Sequence, residues 1–168
     1  GYPELYAKEL SENVSMREDI RKKLLGKMPY IAECGGFMYL HESLAVSDRD
    51  IFPMCGVINA KAYFTNKLRR FGYAELTAKK DNIFCKSGGR IKAHEFHYCE
   101  SSSCGNSFTA KKPDKRQWEC CHADKKHYAG FAHIYLLSNI GIAENFVKNI
   151  GGIYEEDRKH SWDRQFFL

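Results

Sequence analysis

Residues 28–40 read Met-Pro-Tyr-Ile-Ala-Glu-Cys-Gly-Gly-Phe-Met-Tyr-Leu, which indicates a short buried strand, a tight turn at Cys34 and a helix that begins at once. A residue on such a strand-to-helix turn adopts a strained backbone conformation, and this arrangement is called a nucleophile elbow. Small residues are needed where the chain crosses itself, and Ala32 and Gly36 lie two positions to either side of Cys34. The stretch therefore predicts an α/β fold organised around this turn.

The same turn predicts a reactive thiol at Cys34. Unpaired N–H groups and the dipole at the start of a helix favour the thiolate over the thiol. The N–H of Gly35, directly after Cys34, is the best available donor for an oxyanion hole. The alternative is that Cys34 is a small buried hydrophobic residue, the commonest role of a free cysteine.

Composition limits the classes of function. The chain has 168 residues, of which 43% are hydrophobic and 14% aromatic, and this suffices for one domain with a sizeable core. Its 26 basic and 21 acidic residues are scattered, so nucleic-acid binding is not indicated. No apolar run approaches the roughly 20 residues of a membrane span, and no secretory signal is recognisable. We expect a soluble, cytoplasmic protein without a nucleic-acid or membrane partner.

The cysteines point the same way. Seven cysteines form an odd set without a regular spacing, which favours a reducing compartment. Cys99, Cys104, Cys120, Cys121 and His122 could offer soft ligands to zinc. Structural zinc sites usually use two pairs of ligands, and the two cysteines of a pair are separated by two to four residues. Cys120 and Cys121 are adjacent and do not have that spacing, so no metal site is predicted.

Hydrophobic spacing predicts two helices before the elbow. The first spans 4–12; the second spans 16–25, with Ser15 as its cap, Glu18 in capping-box position and Gly26 as its stop.

After the elbow, the pattern predicts mainly strands. The elbow strand is predicted at 29–33 and its helix at 37–44, and an antiparallel section is predicted from strands at 54–58, 60–65, 71–78 and 90–98. A hairpin within 100–127, a final strand at 128–136, a helix at 141–149 and a docking tail after residue 151 complete the prediction.

A cysteine nucleophile needs a base, which can be distant in sequence. We expect four histidines to be solvated: His41, His122, His127 and His160. His133 lies in an apolar segment, where a polar ring needs a partner. In a strand, His94 and Phe96 face one way while Glu95 and His97 face the other. From the residues alone, His133 and His97 are near-equal candidates.

Six motifs occur in order along the chain. They are Gly-Tyr-Pro-Glu-Leu at 1–5, Ser-Met-Arg at 15–17, Ala-Glu-Cys-Gly-Gly-Phe-Met-Tyr-Leu at 32–40, Arg-Phe-Gly-Tyr at 70–73, His-Glu-Phe-His-Tyr at 94–98 and Gly-Phe-Ala-His at 130–133. Together they resemble the C-terminal glutamine amidotransferase domain of cobyrinic acid a,c-diamide synthases.

The resemblance implies a flavodoxin-like class I glutamine amidotransferase fold that hydrolyses L-glutamine. It implies that ammonia passes to an N-terminal synthetase domain that binds ATP, magnesium and a cobyrinate-type tetrapyrrole, with no cofactor in this chain. By the same resemblance Cys34 is the nucleophile and His133 its activating base. The remaining implied site residues are Gly35, Gly36 and Gly1 at the elbow and oxyanion hole, and Glu4, His94, Glu95 and His97 as possible pocket residues.

Two departures from the family pattern bear on the site. Related triad amidotransferases have a glutamate two residues after the histidine, whereas this chain has Tyr135, so what orients His133 is open. Family members also begin this domain roughly fifty residues earlier, a span comparable to two βα units. Because only the last of the three glycines in their Gly-Gly-Gly-Tyr-Pro-Glu stretch, Gly1, is present, we expect parallel strands and part of the oxyanion hole to be missing.

Three alternatives stay open at this point. The same domain occurs in a relative that amidates nickel-sirohydrochlorin, and the acceptor is chosen by the N-terminal domain. A cysteine hydrolase on a similar elbow fold is the rival from another enzyme class. A degenerate domain that only binds a partner is the rival without catalysis.

Overall fold

Two β-sheets carry the fold of residues 1–150, the part of the chain that the computed structural model describes. The helices are α1 (Ala7–Glu12), α2 (Val14–Leu25), α3 (Gly35–Tyr39) and α4 (140–150). The strands are β1 (Tyr30–Glu33), β2 (His41–Ala45), β3 (Ile51–Pro53), β4 (Ile58–Ala78), β5 (Arg90–Ser101), β6 (Phe108–Lys111), β7 (Gln117–Cys120), β8 (His122–Ala123), β9 (His127–Gly130) and β10 (His133–Ile134). Short 3-10 turns cover Pro3–Leu5 and Leu136–Ser138.

Strand pairing mixes both directions. In the smaller sheet, β1 runs parallel to β9, which pairs antiparallel with β8. In the larger sheet the order is β10-β5-β4-β2-β3, with β6 pairing on β4 and β7 on β6. The long strand β4 is antiparallel to β5 and β6 but parallel to β2. The predicted α/β class with an antiparallel middle section is confirmed at this level.

The elbow joins β1 to α3 through a strained residue. Cys34 has φ 47° and ψ −103°, and its N–H donates to the carbonyl of Gly130 at 2.8 Å. Such strain costs about 1–3 kcal/mol at a non-glycine residue. Phe37 is fully buried in the first turn of α3, and burying a side chain of that size stabilises by about 1.5–3 kcal/mol. Packing of α3 is thus large enough to offset the strain at Cys34.

Two hydrophobic clusters support the sheets. One surrounds the elbow and includes Phe37, Leu44 and Phe131. The other lies under β4, β5 and β6, with Tyr128 and Phe84 among its largest buried side chains. The elbow therefore packs in a core of its own, beside the cluster that holds the antiparallel strands together.

The elbow helix is shorter than predicted. The prediction of a helix at 37–44 is wrong in its second half, because α3 ends at Tyr39 and β2 follows at once. His41 pairs with Ile58 in the parallel ladder of β2 and β4, and Leu44 pairs with Phe52 in β3. Sheet partners on both sides override a helical spacing, because local propensity is weak compared with tertiary pairing.

The cap assigned to the second helix was also wrong. Asn13, not Ser15, caps α2, since its side chain accepts the Met16 N–H at 3.3 Å and the helix already begins at Val14. Gly26 ends α2 as predicted. The predicted first helix is divided into a 3-10 turn and α1, with a break at Tyr6.

The observed strands differ from the predicted ones in three places. The strand predicted at 54–58 is wrong, because residues 54–57 lie between β3 and β4. The strands predicted at 60–65 and 71–78 are one strand, β4, with register shifts against β5. The strand predicted at 128–136 is divided into β9 and β10, which belong to different sheets.

The predicted hairpin and closing helix are confirmed. Strands β6 and β7 pair antiparallel within 100–127, and α4 packs Ile142 into the core. The docking tail after residue 151 and His160 lie outside the described residues.

Candidate active site

A pocket of about 420 Å³ opens beside the elbow. It contains every predicted site residue except Glu95, together with several others; its lining is Gly1, Tyr2, Glu4, Glu33, Cys34, Gly35, Gly36, Met38, His94, Phe96, His97, Tyr98 and His133. Clefts of about 480 and 700 Å³ lie elsewhere, but no cysteine lines either of them. A smaller cleft of about 360 Å³ is lined by Cys85, but burial raises the pKa of that thiol. The pocket at Cys34 is therefore where nucleophilic chemistry is best supplied.

The N-terminal segment crosses directly over the elbow. A Cβ added to Gly35 would lie 3.0 Å from Cδ of Pro3 and 3.5 Å from Cα of Gly1. A Cβ added to Gly36 would meet Ala32 at an ordinary 3.8 Å. The tight crossing is therefore at Gly35, not at the Gly36 and Ala32 pair that the sequence indicated.

Cys34 is partly exposed to the pocket and is a free thiol. Its Sγ lies 3.8 Å from the carbonyl oxygen of Phe96 on β5. The following helix has only five residues, so the field at its start is weaker than the longer predicted helix would give. A neighbouring cation is thus the more important influence on this thiol.

His133 lies next to Cys34, although the two residues are far apart in the sequence. Its side chain is 46% exposed at the pocket edge, and the ring has the polar partner that its apolar segment led us to expect, since Nδ1 lies 3.3 Å from Oε2 of Glu33. Interaction with the Cys34 side chain, followed by a hydrogen bond to Glu33, raises the pKa of His133 to about 10. A ring that keeps its proton at neutral pH beside a thiol favours a thiolate–imidazolium pair.

Glu33 is the site residue that sequence reasoning missed. Its Oε2 lies 3.3 Å from Nδ1 of His133, and its Oε1 accepts the N–H of Ile134 at 2.8 Å. The available signal was an acidic residue directly before the elbow cysteine, at the end of an apolar strand. Nothing in the sequence indicated that β10 would lie beside that end of β1.

His97 is close to the pocket, but its ring is already engaged. Nδ1 lies 2.7 Å from the carbonyl oxygen of Cys99, and Nε2 lies 2.9 Å from Oε2 of Glu95. The ring stacks on Phe131 with a centroid distance of 4.0 Å. His97 and Glu95 are 3% and 2% exposed. Since both ring nitrogens are occupied, the geometry favours His133 over His97 as the group that exchanges protons with Cys34.

The other predicted pocket residues occupy different parts of the cavity wall. His94 pairs with His133 in the antiparallel ladder of β5 and β10, and its ring contacts Phe71 and Tyr73 edge-on. Glu4 contributes a buried carboxylate oxygen, Oε2, that has no hydrogen-bond partner among residues 1–150. A buried oxygen of this kind at a pocket wall is a candidate acceptor for a polar group of a ligand.

The described part of the chain offers no metal centre. Among residues 1–150, no three His, Cys, Asp or Glu side chains converge so as to hold an ion. All seven cysteines are free, and burial raises the pKa of both Cys99 and Cys104 to about 12. The zinc alternative therefore finds no support in this region. No helix within it has the length and apolar character needed to cross a membrane.

Comparison with known families decides the classification. The sequence profile of the CobB/CobQ-like glutamine amidotransferase domain matches residues 1–140. The chain belongs to this family.

Curated relatives agree with this family. The chain is 42% identical to a cobyrinate a,c-diamide synthase of Caldanaerobacter subterraneus subsp. tengcongensis over 141 residues, which are 82% of this chain and 31% of the relative. It is 34% identical to the enzyme of the same name in Picrophilus torridus, over 89% of this chain and 32% of that relative. It is 35% identical to the enzyme of that name in Leptospira interrogans, over 89% of this chain and 34% of that relative. The chain thus spans about a third of the length of these relatives.

Proposed function

We propose that residues 1–150 hydrolyse L-glutamine and that the native protein uses the ammonia to amidate carboxylates of a cobyrinate-type tetrapyrrole. The observation that carries this proposal is the strained residue Cys34, with His133 and its raised pKa beside it in one pocket. Membership of the glutamine amidotransferase family supports the substrate, and the relatives' names support the acceptor.

The proposed reaction uses Cys34 as the nucleophile and His133 as the group that gives and takes the proton. The Cys34 thiolate attacks the side-chain amide carbon of glutamine, the C–N bond breaks, and His133 gives its proton to the leaving ammonia. Water then attacks the γ-glutamyl thioester, His133 accepts a proton, and the Cys34 thiolate leaves as glutamate is released. We assign the stabilisation of the negative oxygen to the N–H of Gly35, because it directly follows the nucleophile; one such donor typically contributes about 3–4 kcal/mol.

Glu4 has a role in binding glutamine under this proposal. Its buried Oε2 has no hydrogen-bond partner in the described region and lies at the wall of the same pocket. The α-ammonium group of glutamine can donate a hydrogen bond to this oxygen. Since hydrogen bonds to charged groups contribute about 1.5–3 kcal/mol, Glu4→Gln should raise KM for glutamine about 10- to 100-fold with a smaller change in kcat.

The rest of the native protein is also part of the proposal. We assign this chain to the C-terminal part of a flavodoxin-like class I amidotransferase domain, and ATP and magnesium to an N-terminal synthetase domain. A cytoplasmic location would keep the Cys34 thiol reduced.

The test uses the native protein and its Cys34→Ala variant. Glutamine-dependent amidation of cobyrinate should be lost in the variant, whereas amidation with ammonium salts should remain. Loss of both activities would contradict a role confined to glutamine hydrolysis. Amidation of nickel-sirohydrochlorin in place of cobyrinate would change the acceptor only, and hydrolysis of peptides or esters without glutaminase activity would favour the cysteine hydrolase.

A further inference from the structure

We propose that Glu33 is the positioning residue for His133 and fixes which ring nitrogen faces the nucleophile. This inference rests on the proposed glutaminase function and adds a third member to its Cys34 and His133 pair. Glu33 precedes the nucleophile in the chain, so one strand end supplies both the nucleophile and the carboxylate that orients its base.

Glu33 accepts hydrogen bonds from two neighbouring residues of β10, His133 and Ile134. Oε1 accepts the backbone N–H of Ile134 at 2.8 Å, and Oε2 lies 3.3 Å from Nδ1 of His133. The carboxylate thus bridges the main chain and the side chain of β10. Because β10 is also paired with β5 through His133 and His94, the histidine is held from two sides.

The chemistry of the acceptor decides the tautomer. A carboxylate has no hydrogen to donate, so both of its oxygens only accept hydrogen bonds. In the contact with Oε2 of Glu33, Nδ1 of His133 must therefore carry the hydrogen. The neutral ring therefore has its lone pair on Nε2, the nitrogen left to exchange a proton with Cys34. The negative charge of Glu33 also favours the protonated ring, in the same direction as Cys34.

The obvious alternative residue is not placed for this task. Tyr135 lies two positions after His133, but its side chain is 56% exposed and is not part of the pocket lining. Its backbone N–H donates to the carbonyl oxygen of Lys92 at 2.9 Å, and this hydrogen bond continues the pairing of β10 with β5. Among the residues that the structure describes, Glu33 makes the carboxylate contact to the His133 ring.

Substitution by glutamine gives a specific test, because an amide has one acceptor and one donor. If the amide oxygen of Glu33→Gln accepts the Ile134 N–H, its NH₂ faces Nδ1 and forces the hydrogen onto Nε2. We expect glutaminase kcat to fall about 10²- to 10⁴-fold, since a wrong tautomer in a comparable triad costs about 10⁴. KM for glutamine should change only a few-fold.

The pH profile separates positioning from a merely structural role. Without the Glu33 charge, the alkaline limb of kcat/KM, where His133 loses its proton, should move to lower pH in Glu33→Gln. Glu33→Asp keeps the charge and should keep that limb near its wild-type position, with partial activity. Matched controls are Glu42→Gln, an exposed glutamate on β2 outside the pocket, and Tyr135→Phe; both should behave as wild type.

A measurement without any variant keeps the inference falsifiable even if Glu33→Gln does not fold. Nitrogen-15 NMR of the histidine-labelled native protein, followed to a pH above the His133 pKa of about 10, should show that the neutral ring carries its hydrogen on Nδ1. A hydrogen on Nε2 would overturn the inference, as would Glu33→Gln with wild-type kcat and an unmoved alkaline limb. Full glutaminase activity in Cys34→Ala would instead refute the proposed function, and the tautomer result would still decide the role of Glu33.

Discussion

Replacement of His97 by alanine should weaken the fold much more than the chemistry. His97 and Glu95 are almost completely buried and lie 2.9 Å apart, and the second ring nitrogen of His97 contacts the carbonyl of Cys99. Because a carbonyl only accepts, Nδ1 carries a hydrogen, and one proton is shared between Nε2 and Glu95. Alanine at position 97 leaves Glu95 buried without that partner.

The magnitude follows from this orphaned carboxyl group. Breaking a buried pair by removing one partner costs about 3–5 kcal/mol. At about 2–4 °C per kcal/mol for a domain of this size, the unfolding temperature of the domain should fall by about 6–20 °C. The double variant Glu95→Met with His97→Leu removes the orphaned carboxyl group and should lose less than His97→Ala alone; the hydrogen bond from His97 to the Cys99 carbonyl is lost in both variants.

Calorimetry and glutaminase assays on the native protein measure the two effects separately. His97→Ala, assayed well below its unfolding temperature, should keep kcat within a few-fold of wild type. His133→Ala should lose kcat about as severely as Cys34→Ala, with little change in unfolding temperature because its side chain is 46% exposed. A collapse of kcat in His97→Ala at an unchanged unfolding temperature would refute the reasoning and make His97 the base.

Three further predictions follow from the same structure. Gly35→Ala should distort the elbow, because its Cβ would lie 3.0 Å from Cδ of Pro3; glutaminase assays should show a larger loss than in Gly36→Ala, whose Cβ would meet Ala32 at an ordinary 3.8 Å. Burial lowers the pKa of His41 from 6.5 to about 4. Between these two pH values the ring is protonated in the unfolded state but neutral in the native state. The free energy of unfolding should therefore fall by about 3 kcal/mol as the pH drops from 6.5 to 4, and urea titrations of the domain should show a flatter profile in His41→Gln. Diazo-oxo-norleucine should label Cys34 and not Cys99, whose pKa burial raises to about 12; mass spectrometry that finds the label on Cys99 would contradict the assignment of the nucleophile.

Local signals were sufficient for the elbow and for the regions around it. The pattern of an apolar strand, Cys34 and two glycines predicted the turn that the structure contains, because strain at a nucleophile requires small neighbours in the adjacent sequence. The hairpin of β6 and β7 was also recognisable, since turn residues and strand-forming residues occur within one short segment.

Prediction failed where distant strands compete with local propensity. The helical spacing of Phe37, Leu40 and Leu44 favoured a helix through residue 44. Residues 41–45 nevertheless form β2, because β3 and β4 offer hydrogen-bond partners on both sides. The predicted final strand divides at Phe131 and Ala132, because β9 continues the sheet of β1 whereas β10 joins β5. Neither choice is encoded within the segment itself.

At the candidate site, the residues around Cys34 were enough to indicate a strained cysteine between a strand and a helix, since neighbouring residues dictate that turn. Residue types and spacing left His133 and His97 near-equal as candidates for the base, and the resemblance to the amidotransferase family favoured His133. The tertiary structure adds a physical reason for that preference: it buries the His97 ring against Glu95 and Phe131, and it brings His133 to Glu33 across a separation of 100 residues. Hydrogen bonds between strands depend on which edges meet in space, and the order of residues along a strand does not specify that.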